Sequence, residues 1–562
     1  MSSRTSAEHP SCPGKTEPKH LLYFLAVWIP YALLVKHFWW VCDDAFISFR
    51  YALNAASGEG LRFNLGSHIP VEGYSNFLWV MVAAVVEFLG AEITFWPNLL
   101  SFLCGSTLLY LVFHNLRYRL EINTTTSCLA TLFLGLSPPF ALWSTSGLET
   151  APFALLIFLT FERLILRKGA IAPISAGLAG LALSLMRTEG IYWAVTIVLL
   201  AMVSRKLASE KFKRSIFICS SIILTGYGIY WISRYSYYQL PFSNTTYAKV
   251  SIGLDVMGRG LDYVALQSLT YLPLLIVIPG ILIVLFSKKY AIGLPVAAMS
   301  VGITAYAILV GGDFMPVARL LVPAMPFNCL LMAWILDSVW KKTTAGKQIS
   351  VLLGIIVIGI GLAPSWNLQL APESVRARFH FRLNERQYRR SEYDQWLFAR
   401  DNARLWAMAG ITLKAHADPG DSVVRGAMGA VAYYSGLFIF DKAGLVTRSV
   451  VLHTAEDRSL NSPGHDKHVP GTFFMDQKPT FYRSECVERK ELTRKAVGEL
   501  SGLYAPGVLN EFGPTGTKWT EQDAGGKFNH SKQAKYLLLI RSSDNGGLVP
   551  EFVPLIKDQV KF

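Results

Sequence analysis

Charge is scarce in this chain. Only 16% of its 562 residues are Asp, Glu, Lys or Arg, against 52% that are hydrophobic. Ordinary soluble domains carry about 25% charged residues, so the shortage excludes a typical soluble enzyme and a disordered chain alike. Cysteine is sparse too: the seven present never form a CxxC pair, which removes a zinc ribbon, a thioredoxin-like motif and a disulfide framework. Cys104, Cys128, Cys219 and Cys329 lie in or beside apolar runs and read as small core residues. Cys42 and Cys486 are placed to face an oxidising compartment, which allows one disulfide. No His/carboxylate run has metal-ligand spacing; His465-Asp466-Lys467-His468 reads as a solvated loop, with metal binding the alternative. Internal repeats and low-complexity segments are absent. The first apolar run also lacks a small-residue cleavage site, so it reads as an uncleaved span.

What is present is a polytopic membrane protein with a soluble part. Its net charge of +14 points to basic cytoplasmic loops and anionic lipid or phosphate rather than nucleic acid. Apolar runs occur at about 21–41, 75–90, 97–114, 124–142, 149–166, 171–186, 191–203, 215–235, 263–287, 290–311, 320–340 and 349–364. Basic clusters follow several of them: Arg117/Arg119, Arg167/Lys168, Arg205 to Arg214, Lys288/Lys289, and Lys341/Lys342 with Lys347. If all the runs crossed, the first two clusters would lie opposite the basic N-terminus, against the positive-inside tendency. The run 75–90 is short, carries Glu87 and starts beside Asn76. Read as interfacial, it leaves about eleven spans and puts every basic cluster on one side.

The same parity places five polar clusters on the opposite face: Cys42–Asn76, Ser144–Thr150, Arg187–Gly190, Tyr237–Lys249 and Gly311–Arg319. The tail, 365–562, falls there as well. It is richer in charge and turn signals and reads as an α/β domain, with strands at Ser422–Val424, Leu437–Phe440 and Tyr536–Ile540 and a helix over Trp396–Leu413. The expected organisation is a cytoplasmic tail (1–20), a transmembrane catalytic domain (21–364) and this extracytoplasmic domain.

Within the first polar cluster two acids are adjacent, Asp43 and Asp44, where the first span should meet water. One acid suffices to cap a helix; a pair asks for a cation or a chemical role. Helical spacing puts Asp43, Ile47, Arg50 and Asn54 on one stripe, beside the apolar stripe Phe46, Phe49, Leu53 and Ala56. Glu72, Tyr74 and Asn76 in the following loop, with Glu149, Glu189, Asn244 and Asp313 from the other clusters, are candidates for a sugar or acceptor pocket. Glu149 and Glu189 equally suit ion pairs with arginines. Arg187, Arg319, Lys249 and Arg50 are candidate ligands for a lipid phosphate, whose charge grows when a sugar leaves it.

These motifs carry a resemblance. DDAFISFRYALN, GEGLRFN, VEGYSNFLW, SGLET, RTEG, PFSNTTYAK and GGDFMPVARLLVPAMP together resemble the GT-C glycosyltransferases grouped with the terminal β-arabinofuranosyltransferases of mycobacterial cell walls. GAVAYYSG (429–436), DKAGL (441–445) and PGHDK (463–467) in the tail resemble that family more weakly. The resemblance implies a mainly α GT-C fold with interfacial helices and a polyprenyl-phosphate sugar donor. It also implies an acid pair, here Asp43 and Asp44, that carries catalysis at the periplasmic face of a bacterial plasma membrane. Arabinofuranose is the favoured sugar, and a cell-envelope glycan or a protein is the acceptor; a mannosyl- or hexosyltransferase of the same fold is the nearest alternative. No cofactor is required, and a divalent cation between the acids and phosphate is compatible with the chemistry. A lipid-linked sugar flippase would account for the spans and cations, but it calls for broken helices and mid-membrane charges. A scaffold protein leaves the acid pair without a purpose.

Overall fold

A computed structural model describes residues 19–560, apart from 68, 168–170, 205–209, 250–252, 272–275, 286–289, 343, 383–388, 454–462, 465, 466, 468, 489–533 and 543–547. Lys168, Lys288, Lys289, His465, Asp466, His468 and nearly all of the N-terminal tail therefore lie outside the described residues.

Among the described residues, six helices are long and apolar enough to cross a membrane: His20–His37, Trp96–Tyr118, Phe212–Tyr238, Ile292–Leu309, Arg319–Trp340 and Ala345–Trp366. The helix Arg319–Trp340 is buried along almost its whole length. In chain order the first helices are α1 (His20–His37), α2 (Asp43–Ala56), α3 (Phe77–Phe88), α4 (Trp96–Tyr118) and α5 (Thr124–Gly135). After the short α6 (Pro138–Leu142) come α7 (Thr150–Phe161), α8 (Ala172–Met186), α9 (Gly190–Ser204), α10 (Glu210–Tyr238) and α11 (Asn244–Lys249). Then follow α12 (Leu254–Thr270), α13 (Val277–Leu285), α14 (Tyr290–Leu309), α15 (Met325–Trp340) and α16 (Thr344–Leu362).

Hydrogen bonds fix which helix ends meet. Tyr118, at the end of α4, lies 3.2 Å from His20 at the start of α1. Asn98, near the start of α4, donates to the Trp40 carbonyl just before the acid pair at 2.9 Å. The two helices are thus antiparallel, and the Arg117/Arg119 cluster sits at the end opposite Asp43 and Asp44. α5 and α15 are likewise antiparallel, since Ser137 meets Met325 and Cys329 meets the Ala130 carbonyl. α3 behaves differently. Asn76 at its start bonds Glu149 (2.7 Å), and Glu87 near its end accepts from Tyr433 (2.8 Å), so it begins and ends at the acid-pair end.

The apolar run 263–287 is not one helix. Its first part belongs to α12, which ends at Thr270, and its second is α13. α12 carries Asp255, Arg259 and Asp262 and lies at the acid-pair end, where Arg259 Nε donates to Gly311 O (3.3 Å) and Asp262 accepts from the His380 amide (2.9 Å).

Beyond residue 366 the chain forms α17 (Glu373–Arg376), α18 (Glu392–His416), α19 (Gly429–Ser435), α20 (Arg448–His453) and a five-stranded sheet. The strands are β1 (Ser422–Arg425), β2 (Phe438–Asp441), β3 (Phe481–Val487), β4 (Tyr536–Ser542) and β5 (Leu548–Pro554), in the order β2-β1-β3-β4-β5. β1 is parallel to β2 and β3, whereas β3, β4 and β5 pair antiparallel. Ser391 caps α18 by accepting from the Asp394 amide. Gly410 lets α18 approach α19 closely: a methyl there would stand 2.9 Å from the Val431 carbonyl oxygen and from the Tyr434 side chain.

Candidate active site

α2 lies across the acid-pair end of the bundle and packs on both α3 and α19. Its first two residues open onto a cavity of about 440 Å³ between the helix bundle and the part of the chain beyond residue 366. The bundle side of this cavity is Cys42, Asp43, Asp44 and Ile47, with Lys249 from α11 and the loop Phe314–Pro316. The opposite side combines one face of α18, namely Gln395, Phe398, Ala399, Asn402 and Trp406, which have the spacing of one helical stripe, with Arg382, Gly426–Met428, Ala443, Leu445 and Gly464.

The two acids have different surroundings. Asp43 accepts hydrogen bonds from the Gly429 amide (3.2 Å) and the Ala430 amide (2.8 Å) at the start of α19. Enclosure by protein pushes its carboxyl up to about 6; the two amides oppose that rise, Asp44 adds to it, and Arg425 opposes it. Asp44 Oδ2 instead faces Lys249 Nζ at 3.8 Å, with both side chains partly exposed. One carboxylate is therefore oriented and weakly acidic, and its neighbour is paired with Lys249, which lines the cavity as Arg382 also does.

Arg319 stands behind the pair, within electrostatic reach of Asp44. Its guanidinium is bound by Asp313 at 2.6 and 3.1 Å. The preceding loop is strained: Val317 and Ala318 have φ of 58° and 49°, unfavourable for residues with a Cβ and especially for a β-branched one. Three contacts hold it there. Trp143 donates to the Val317 carbonyl (2.9 Å), Glu392 accepts from the Val317 amide (2.6 Å), and Arg382 fixes Glu392 (2.9 Å). Arg187 and Arg319 share a small cleft with Tyr306 and Trp193. At about 20 Å³ that cleft has room for a water but not for a phosphate.

Several residues read from sequence as binding groups are occupied otherwise. Arg50 spends its guanidinium on three carbonyls, Phe63 (3.2 Å), Ala432 (3.1 Å) and Gly436 (2.8 Å), so it is not free for a phosphate. Asn54 donates to Arg62 and Phe63 carbonyls, and Glu72 is closed onto Arg234 at 2.6 Å. Tyr74 meets Tyr238, Asn76 bonds Ser48 and Glu149, and Asn244 donates to the Gly444 and Leu445 carbonyls. Glu149 and Glu189 both bind Arg187, each at 2.5 Å, and Asp313 binds Arg319. None of these nine lines the large cavity. Each makes a side-chain bond between distant parts of the chain or within a loop, so what the sequence offered as a pocket is mostly the frame around one. Cys42 and Cys486 are both free thiols, so no disulfide joins them. Among the described residues no group of three His, Cys, Asp or Glu side chains is arranged to hold a metal ion.

Residues 385–511 match a family described as a domain of unknown function (DUF8728). No curated protein matches the chain. Among solved structures, the chain is similar to ArnT from Cupriavidus metallidurans bound to undecaprenyl phosphate, at 10% identity and a TM-score of 0.49. That match covers 77% of this chain and 88% of the other. The apo state of the same protein gives 11% identity and 0.49 over 79% and 89%.

The α18 face was not found by sequence reading. Gln395, Phe398, Asn402 and Trp406 do recur at helical spacing, but the same pattern describes any amphipathic helix, and only the docking of the two parts shows what the stripe faces.

Proposed function

We propose that this protein transfers a sugar from a polyprenyl-phosphate donor to a hydroxyl of an extracytoplasmic glycan or protein acceptor, with arabinofuranose the favoured sugar. The observation that carries the reading is the acid pair: two adjacent carboxylates open onto a cavity at one end of an apolar helix bundle, with Lys249 beside them and Arg319 behind. The motif resemblance supplies the sugar and the lipid. A flippase needs charges along a path through the bundle, whereas here the acids and their cations gather at one end.

In this reading Asp43 is the general base of an inverting transfer, whereas retention of the donor's anomeric configuration would call for one of the two acids as nucleophile. A carboxyl held near 6 is ionised at neutral pH yet basic enough to take a proton from an acceptor hydroxyl, and its two backbone donors aim it. Losing the sugar leaves the lipid phosphate with more negative charge. Lys249 meets that charge at the cavity wall, and Arg319 supports it from behind through its field at Asp44. Asp44 keeps Lys249 in place until phosphate arrives. The α18 stripe, with two aromatic rings and two amides, takes the acceptor: flat apolar faces and amide groups suit a sugar ring's C–H face and hydroxyls.

A structure of the protein with polyprenyl phosphate tests this directly. The phosphate is expected beside Lys249 with its chain directed into the bundle; a lipid phosphate bound at the Arg117/Arg119 end, with the acid-pair cavity vacant, would refute the assignment.

A further inference from the structure

Asp43 and Arg50 stand two turns apart on α2, about 10 Å at the rise of an α-helix. They grip opposite ends of one helix of the C-terminal domain. Asp43 accepts from the Gly429 and Ala430 amides at the start of α19, and Arg50 donates to the Ala432 and Gly436 carbonyls at its end. α19 has seven residues, so its length matches the separation of the two charges, and the helices run parallel. The acid meets the electropositive end of the α19 dipole and the guanidinium meets the electronegative end. Gly436, in the left-handed region at φ 76°, turns its carbonyl toward Arg50. Gly429 completes the fit, because a Cβ there would collide with the Asp43 carbonyl oxygen. A third tie runs from Tyr433 of α19 to Glu87 of α3 at 2.8 Å.

We propose that α19 is part of the catalytic centre, clamped by Arg50 so that its first two amides aim the Asp43 carboxylate, which makes Arg50 a positioning residue. This rests on the reading of Asp43 as base. The clamp answers a question of geometry. A base on the first turn of a helix has a mobile side chain, and two fixed N–H donors hold its carboxylate plane toward the cavity. Arg50 touches no reacting group. It acts by denying α19 the freedom to slide along α2, since its donors fix the far end of a helix whose near end bonds the base. The C-terminal domain is thereby an obligatory half of the site.

The test uses the full-length protein in nanodiscs, with Arg50→Met to remove the clamp and Arg50→Lys to keep the charge without the fork. Two readouts are taken: hydrogen exchange of the amides at 429–436, and transfer rate against pH at saturating donor. Arg50→Met should expose the 429–430 amides to exchange and lower kcat on the order of 100-fold, as loss of aim by about 1 Å does, with donor KM little changed. Its pH profile should move as well. Asp44 on α2 and Arg425 on β1 are the charged groups facing Asp43, and neither is altered. Enclosure is the larger influence on Asp43 and the amide bonds the smaller. Withdrawal of α19 removes both, so the acidic limb should fall from about 6 toward the ordinary carboxylate range. Arg50→Lys should recover part of both effects. Normal amide protection in Arg50→Met would overturn the clamp, and an equal loss of rate at every pH would overturn the positioning role. Should Arg50→Met fail to fold, Gly429→Ala pushes α19 off Asp43 with Arg50 intact, and the same shifted limb is expected. A wild-type protein that transfers no sugar would instead refute the proposed function, while the exchange data would still decide whether Arg50 docks α19.

Discussion

The guanidinium carbon of Arg319 lies 5.5 Å from the centre of the Trp143 ring, and the indole N–H of Trp143 donates to the carbonyl of Val317, two residues before Arg319. One tryptophan thus fixes the strained loop and offers its face to the cation that the loop delivers. Asp313 takes the guanidinium from another side in a two-point contact. This geometry belongs to arginine; an ammonium is a point charge and cannot reproduce the fork.

Arg319→Lys should therefore slow sugar transfer by about 10²-fold, the scale seen when one preorganised stabilising group is lost. The fall should appear in kcat more than in donor KM, because phosphate charge grows toward the transition state. Single-turnover rates with saturating donor measure it, and wild-type rates in Arg319→Lys would remove Arg319 from the chemistry.

Asp43→Asn should lower transfer by about 10³-fold, the typical worth of a general base, while Asp44→Asn should mainly loosen Lys249 and raise the donor KM. The base works only when ionised, so wild-type kcat/KM should drop as pH falls through about 6, the value to which enclosure raises Asp43. A rate–pH profile with its acidic limb near 4 would assign the base to a carboxyl less enclosed than Asp43.

Glu72 and Arg234 form a buried pair, with Nε and Nη2 of the arginine both on Glu72 Oε2 at 2.8 and 2.6 Å. The pair holds the loop after α2 against the end of α10. Arg234→Met leaves a buried carboxylate uncompensated and should destabilise the protein by about 3–5 kcal/mol. Glu72→Leu combined with Arg234→Met should recover much of the loss. Thermal unfolding in detergent reads both, and an unchanged Tm in the single variant would contradict the pairing.

Trp406→Ala should raise the acceptor KM roughly fivefold, since an aromatic contact is worth about 1 kcal/mol beyond its area, and leave the donor KM unchanged. Initial rates against acceptor concentration measure the split. An effect on donor KM alone would place the donor sugar against α18.

Much of this architecture is legible from the sequence because a membrane restricts the chain to few solutions. Apolar runs mark helices, and the three strands expected in the tail appear at 422–425, 438–441 and 536–542. β3 escaped notice because Arg483 and Glu485 interrupt its apolar pattern; they pair with each other at 2.7 Å on the strand itself. The run 263–287 misled because hydropathy does not register the break after Thr270. The acid pair was legible from chemistry, as two adjacent carboxylates at a span boundary require a reason. The partners of Glu72, Asn244 and Arg50 were not legible, because each is satisfied by a residue 162, 200 or 386 positions away. Spacing within a segment carries no trace of such contacts.

The most direct measurement is sugar transfer by purified protein in nanodiscs, supplied in turn with decaprenyl-phosphate arabinofuranose and polyprenyl-phosphate mannose, with released lipid phosphate followed by mass spectrometry. Release is predicted for wild type with the arabinofuranose donor when acceptor glycan is present, and its near loss in Asp43→Asn. Release with the mannose donor alone would correct the sugar and keep the chemistry. No release from either donor, or full release by Asp43→Asn, would contradict acid-pair catalysis of sugar transfer from a lipid phosphate.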